Sequence, residues 1–183
     1  MEAKPCKLSR CVKANIVLPP DTQHHHTLFG GRLMQLIDEV AVLSATRHAR
    51  RPCVTASTDS VDFLSPVRVG DSICLVAYVT WTSRTSMEVF IRSTAEDLMT
   101  GERRIAAVSF QTLVAVDEAG KPVPVPGVIP ETEEEEYLFK TAPNRAISRR
   151  FHRTETKELI DTLTEINTNH LDVNEQLYGV VTG

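Results

Sequence analysis

From Gly30 to about His48, Leu33, Met34, Ile37, Val40, Ala41, Ser44 and Ala45 recur at three- and four-residue spacing, the period of a helix face. Leu36, Val42 and Leu43 widen that face well beyond an ordinary stripe, so this helix is expected to be wrapped by other structure. Elsewhere the pattern is β-like. Residues 8–18 (LSRCVKANIVL) read as a strand closed by Pro19 and Pro20, which cannot continue a central ladder. After Pro52 come CVTASTDSVDFL, then ICLVAYVTW, in which Ile73, Leu75, Ala77, Val79 and Trp81 alternate with Cys74, Val76, Tyr78 and Thr80. TSMEVFIRSTA and RRIAAVSFQTLVAV follow, joined across LMTGE, which reads as a hairpin turn.

The order is strand, long helix, then four consecutive strands. Strands joined by short turns form an antiparallel sheet, and a nearly all-apolar helix must bury itself against it. The expected class is α+β: a sheet curled round one central helix. Prolines at 122, 124, 126 and 130 are expected to forbid an internal strand or helix and to end the regular domain. This divides the chain into a domain at 1–127 and a charged extension at 128–183. Within the extension, acidic ETEEEEYLFK precedes basic NRAISRRFHR, so 131–167 is expected to form one or two helices outside the core. Residues 167–183 are expected to be mobile.

Charge narrows the list of partners. A formal net charge of −4 gives no general basic footprint, which argues against nucleic acid and anionic membrane surfaces. No apolar run approaches the roughly 20 residues that cross a bilayer, and the start lacks the apolar stretch of a signal peptide. A soluble cytoplasmic protein is the expectation. Cys6, Cys11, Cys53 and Cys74 are scattered, which favours buried free thiols over a zinc knuckle or a disulfide framework.

The most informative stretch runs from Asp21 through Gln23, His24, His25, His26, Gly30 and Gly31 to Asp38. Two glycines at a helix N-terminus allow close approach of a ligand, and the unpaired N–H groups there suit an oxyanion or carbonyl oxygen. A carboxylate on a buried apolar helix costs several kcal/mol unless it is paired or used. Asp38 is therefore either a functional carboxylate or a structural one that pairs with a cation such as Arg47 or caps a loop. Three adjacent histidines in a loop rarely converge on one ion, so no metal site is expected. Asp59 and Asp62, at odd spacing, fall on opposite faces of a regular strand and are expected to be structural. Cys53 and Cys74 lie in strand-like apolar runs, away from any histidine in sequence, which argues against a cysteine nucleophile.

The segments TLFGGRLMQLIDE, ATRHA, VTASTDSVDFLSPVRVGD, RTSMEVFI, GERRIAAVSFQTLVAVD and GKPVPVP resemble the cytosolic acyl-CoA hydrolase family of hotdog-fold thioesterases, in its single-domain bacterial branch. The likeness runs from about Cys11 to Pro130. It implies a four- or five-stranded antiparallel hotdog sheet round a central helix, a C-terminal extension beyond it, and assembly into dimers or trimers of dimers with active sites at the dimer interface. It also implies hydrolysis of fatty acyl-CoA, with coenzyme A as part of the substrate rather than a cofactor. The family's catalytic Asp falls on Asp38, as base or nucleophile. Its Asn partner falls on Gln23, one methylene longer, and His26 stands where a smaller residue is usual.

In that frame Gly30 and Gly31 face the thioester oxygen. Arg84, Thr85 and Ser86, with Arg103 and Arg104, are candidates for phosphate or pantetheine contacts, or else form a solvated sheet edge. Phe63 and Leu64 either line an acyl tunnel or pack in the core. Two further readings stand beside hydrolysis: a non-catalytic hotdog protein that binds or senses acyl-CoA, supported by Gln23, and a hotdog dehydratase, for which no suitably placed histidine is evident.

Overall fold

The computed structural model describes residues 1–174, with side chains through residue 166. In chain order it contains β1 (Lys4–Pro5), a 3-10 turn (Cys6–Ser9), β2 (Cys11–Ile16), α1 (Gly30–Ala49), β3 (Cys53–Phe63), β4 (Ser72–Thr82), β5 (Ser86–Glu96), β6 (Arg103–Ala115), β7 (Val128–Ile129) and α2 (Glu133–Asn174). The chain divides into two compact units, Met1–Ala142 and the part from Pro143 onward.

The first unit holds a five-stranded antiparallel sheet in the order β2-β4-β5-β6-β3. The strands before and after α1 are thus the two edges, so the helix crosses the sheet between them and touches all five strands. Period-2 alternation selects the face it covers. Ile73, Leu75, Ala77 and Val79 on β4, Met87, Val89 and Ile91 on β5, and Ala107, Leu113 and Ala115 on β6 are buried, as are Leu33, Leu36, Ile37, Val40, Ala41 and Ala45 of α1. This is the hotdog arrangement expected from the sequence. The helix is not covered all round, however: Met34 and Leu43, read as part of a wrapped face, are 46% and 49% exposed in the single chain.

Strand β3 departs from regular alternation. Its pairing with β6 shifts register between Thr55 and Ser57 and again between Thr58 and Ser60. Each bulge adds one residue and resets the faces. As a result Thr55, Thr58 and Val61, three apart, oppose Leu113, Gln111 and Ser109, which lie at alternate positions along one face of β6. The same shift corrects the reading of Asp59 and Asp62. Asp59 accepts hydrogen bonds from Ser57 and Thr112 on the outer face, the face that also carries Asp62 opposite Val108.

The proline-rich segment does not end the regular structure. Its prolines alternate with residues whose N–H groups are used: Val123 donates to the Ala115 carbonyl and Val125 to the Arg84 carbonyl. Val128 and Ile129 then pair in parallel with Lys4 and Pro5. The expected boundary at 127/128 falls inside the first unit.

The opening of α2 also belongs to that unit, rather than lying outside the core. Thr132 and Glu135 form a reciprocal cap, with Glu135 N–H donating to Thr132 Oγ1 and Thr132 N–H to Glu135 Oε2. Leu138 and Ala142 are 7% and 0% exposed, and Tyr78 Oη donates to Glu134 at 2.6 Å. Of the tail expected to be mobile, residues 167–174 continue the backbone of α2 and 175–183 lie outside the described residues. No helix among the described residues is long and apolar enough to cross a membrane.

Candidate active site

Helix α1 starts without a side-chain cap. The Arg32 and Leu33 N–H groups bond to the Phe29 carbonyl, whereas those of Gly30 and Gly31, in the first turn, have no intrahelical acceptor. The two glycines open on different spaces. Gly30 lines a cavity of about 420 Å³ with Gln23, Thr27, Leu33, Phe63 and Val67. Gly31 lines one of about 400 Å³ with Asp21, Phe29, Arg32 and Gln35. A Cβ on Gly31 would come within 2.5 Å of the Phe29 ring, while one on Gly30 would make ordinary contact with Phe63. A side chain at position 31 would have to displace only the exposed Phe29 ring.

The structure unites Gln23, Gly30 and Phe63. Phe63 is 55% exposed and lines the cavity wall rather than the core. Gln23 is exposed, and its Nε2 donates to Thr27 Oγ1 at 3.1 Å. His24, His25 and His26 are exposed, and His26 takes a left-handed φ of 58°. Among the described residues no three His, Cys, Asp or Glu side chains cluster as a metal site.

Asp38 lies elsewhere. Eight residues beyond Gly30, it is about 12 Å further along the helix axis. It is partly buried and does not pair with Arg47, which donates to the Arg10 carbonyl instead. Its Oδ1 accepts a 2.7 Å hydrogen bond from Thr55 Oγ1. Beside it is a cavity of about 170 Å³ lined by Met34, Ile37, Asp38, Thr58, Val61 and Gln111. One chain therefore presents two separate clusters: backbone donors and an amide at the helix start, and a carboxylate with hydroxyls in mid-helix.

Thr55, Thr58 and Gln111 were not legible as site residues in the sequence. In a regular strand Thr55 and Thr58 would face opposite ways, and only the bulges of β3 bring both toward α1. Gln111, a large amide on the inward face between Ser109 and Leu113, carried the one available signal.

The anion-binding candidates separate as well. Thr85 and Ser86 enter the sheet ladder through their carbonyls, bonded by Ala115 N–H and Ser83 N–H, and Arg84 is exposed beside them. Arg103 pairs with Glu96 at 2.9 Å, at the other end of β5. Ten residues of strand put Ser86 and Glu96 roughly 33 Å apart, so one chain does not bring Arg84, Thr85, Ser86 and Arg103 to one ligand. Arg104 is committed to Asp71 and the Pro66 carbonyl. Burial pushes the Cys6 thiol up to about 12 and raises that of Cys53, the opposite of what a thiolate nucleophile needs.

The family model of the thioesterase superfamily matches residues 25–102. A Bacillus subtilis protein named as an uncharacterized acyl-CoA thioester hydrolase, YkhA, is 54% identical over 88% of this chain and 94% of its own length. The chain belongs to the thioesterase superfamily. Among solved members, the acyl-CoA hydrolase of Staphylococcus aureus in complex with butyryl coenzyme A, coenzyme A and its disulfide is 45% identical. Its similarity covers 88% of this chain and 99% of that one, with a TM-score of 0.85. An apo-hexameric acyl-CoA thioesterase is 50% identical over 84% of this chain and 98% of its own, with a TM-score of 0.82. The match extends well past residue 102, so this superfamily member shares with its relatives the proline-rich segment and the opening of α2 as well as the sheet and α1.

Proposed function

We propose that this thioesterase-superfamily member hydrolyses fatty acyl-CoA to free acid and CoA, with Asp38 as the carboxylate that drives the reaction. The observation that carries this is Asp38 itself: a carboxylate on an otherwise apolar helix, held by Thr55 without an opposing cation and fronting a cavity. Its spacing gives support. Solved variants of the Staphylococcus aureus hydrolase replace an Asn, an Asp fifteen residues later and a Thr seventeen residues beyond that by Ala. Gln23, Asp38 and Thr55 stand at the same intervals here.

The thioester oxygen is received by the Gly30 and Gly31 N–H groups, with the Gln23 amide beside it. Because these lie about 12 Å from Asp38 along one helix, the complete site is assembled at a dimer interface, one chain giving the donors and the other Asp38 and Thr55. Such dimers associate further, as the hexameric relative does. The departing thiolate is a comparatively good leaving group, so a strong general acid is not required.

Release of free thiol from palmitoyl-, butyryl- and acetyl-CoA tests the reading. Asp38→Asn preserves shape and removes the charge, and kcat should fall at least about a hundredfold. Near-native turnover would remove Asp38 from the chemistry. The reading as a non-catalytic acyl-CoA binder draws on one observation, the Gln23 amide tied to Thr27. Tight CoA binding without thiol release by the unaltered chain would favour it.

A further inference from the structure

Gln111 sits in the middle of β6 on the face toward α1, between Ser109 and Leu113, and is only 2% exposed. An amide there has no packing advantage over a leucine of similar volume. Its Nε2 donates to Thr58 Oγ1 at 3.3 Å. Its Oε1 is buried and has no hydrogen-bond partner. Buried acceptors are nearly always satisfied, so one left open beside a cavity points to a donor that arrives with solvent or ligand. The cavity is the one of about 170 Å³ that Asp38 also lines, its other walls being Thr58 and apolar Met34, Ile37 and Val61. At roughly 30 Å³ of liquid volume per molecule it has room for water.

We propose that Gln111 is the second anchor of the hydrolytic water, its Oε1 accepting one O–H while Asp38 accepts the other. This rests on Asp38 being the carboxylate of hydrolysis. A water that donates both protons to fixed acceptors has its lone pair direction fixed as well, which is the positioning an attacking nucleophile needs. As the water oxygen bonds to the thioester carbon, its proton passes to Asp38 and the carbonyl π pair moves onto oxygen. Collapse restores the carbonyl and breaks the C–S bond, and the thiolate takes the proton from Asp38. The O–H held by Gln111 stays with the new carboxyl group. Asp38 thus acts as general base, without an anhydride intermediate.

The test uses the full chain and thiol release from palmitoyl- and butyryl-CoA, with Asp38→Asn, Gln111→Leu, Gln111→Met and Gln111→Glu compared for assembly and thermal midpoint. Gln111→Leu and Gln111→Met should lower kcat roughly tenfold or more with KM changed less than about twofold, the pattern of an interaction made in the transition state. Gln111→Glu keeps the acceptor and should retain most activity at alkaline pH. Its acid limb should move to higher pH, because a second carboxylate then faces Asp38. In a single turnover with enzyme in excess in ¹⁸O-water, label should enter the fatty acid and not the enzyme. Wild-type kcat in Gln111→Leu while Asp38→Asn is inactive would overturn the proposal alone. So would label in the Asp38 carboxylate, or equal inactivity of all three Gln111 variants at every pH, which would mark a packing role. Near-native turnover in Asp38→Asn would instead remove the reading beneath it.

Discussion

Two polar clusters lie on opposite faces of one sheet, and they are built on opposite principles. On the outer face, Tyr78 is 2% exposed and donates to Glu134, which also takes a 2.5 Å contact from Arg92. Burial alone would raise the Glu134 carboxyl, but the Tyr78 and Arg92 hydrogen bonds and the Arg92 charge overcome it and hold the group below its ordinary range. Phenol, carboxylate and guanidinium are thus matched in charge and hydrogen bonding. On the helix side, Asp38 has a hydroxyl donor but no opposing cation, and Gln111 keeps a buried acceptor open. A cluster that only holds the fold consumes its lone pairs, whereas one that handles substrate must leave some unspent.

Removing the outer cluster should have the largest effect. Truncation after Gly127 deletes Glu134, Leu138 and Ala142, which exposes apolar surface and removes the acceptor of the Tyr78 hydroxyl. The loss is roughly 2 kcal/mol for the Leu138 side chain and about 1 kcal/mol for the Tyr78–Glu134 hydrogen bond, before β7 is counted. The product should be insoluble or strongly destabilised by chemical denaturation, while truncation after Ala142 should leave a cooperatively folding unit with hydrolase activity. Equal stability of the two truncations would show that the outer cluster is not a structural latch.

On the helix side, Thr55→Val keeps shape and deletes the one hydroxyl that donates to Asp38. A hydrogen bond to a charged group contributes about 1.5–3 kcal/mol, so kcat should fall about twentyfold, with the thermal midpoint nearly unchanged because the site is partly open to solvent. If Thr55→Val instead lowered stability and spared kcat, the contrast between the two clusters would collapse.

The sheet and α1 could be read from the sequence because each obeys a local rule, period 2 and period 3.6, and Asp38 stands out there as a charge where apolar residues belong. What could not be read arose from pairing at long range. The bulges of β3 are visible only in its register with β6, so the inward turn of Thr55 and Thr58 was hidden and Asp59 and Asp62 were assigned to opposite faces. The prolines of 122–130 read locally as a stop because they lack N–H groups, yet the intervening Val123 and Val125 supply them to the sheet margin. The acidic run at Glu133–Glu136 reads as the start of a helix outside the core, and nothing local distinguishes Glu134, whose partners Tyr78 and Arg92 lie far upstream in the chain.

A smaller effect is expected for Tyr78→Phe, which removes the phenol donor and leaves the Arg92–Glu134 pair in place. Stability at neutral pH should drop by about 1 kcal/mol in denaturant unfolding, with kcat unchanged. The pH dependence follows from the depressed Glu134 group. Its contribution is present above the unfolded carboxylate value of about 4.3 and is lost as pH falls through the folded value. The gap between wild type and Tyr78→Phe should therefore narrow as pH falls below that unfolded value. A gap that widened on acidification would mean that the phenol prefers the protonated acid.

The smallest effect is expected at Gln23, in the donor half of the proposed site. Its amide is exposed and already donates to Thr27, so in a single chain it resembles the outer cluster, satisfied and at rest. In the proposed dimer site the other amide proton would remain available to the thioester oxygen, because a primary amide carries two donors. One neutral hydrogen bond, shared with Thr27 and partly replaced by water, contributes about 1 kcal/mol. Gln23→Ala should lower kcat about fivefold with little change in KM. Gln23→Asn should fall between Ala and wild type, since shortening the side chain by one methylene weakens the reach to both Thr27 and substrate. A rise in KM with kcat unchanged would place Gln23 in binding alone. A fall of a hundredfold would mean that the amide abandons Thr27 in the assembly and does as much as Asp38, and the division of the site into a donor half and a carboxylate half would have to be redrawn.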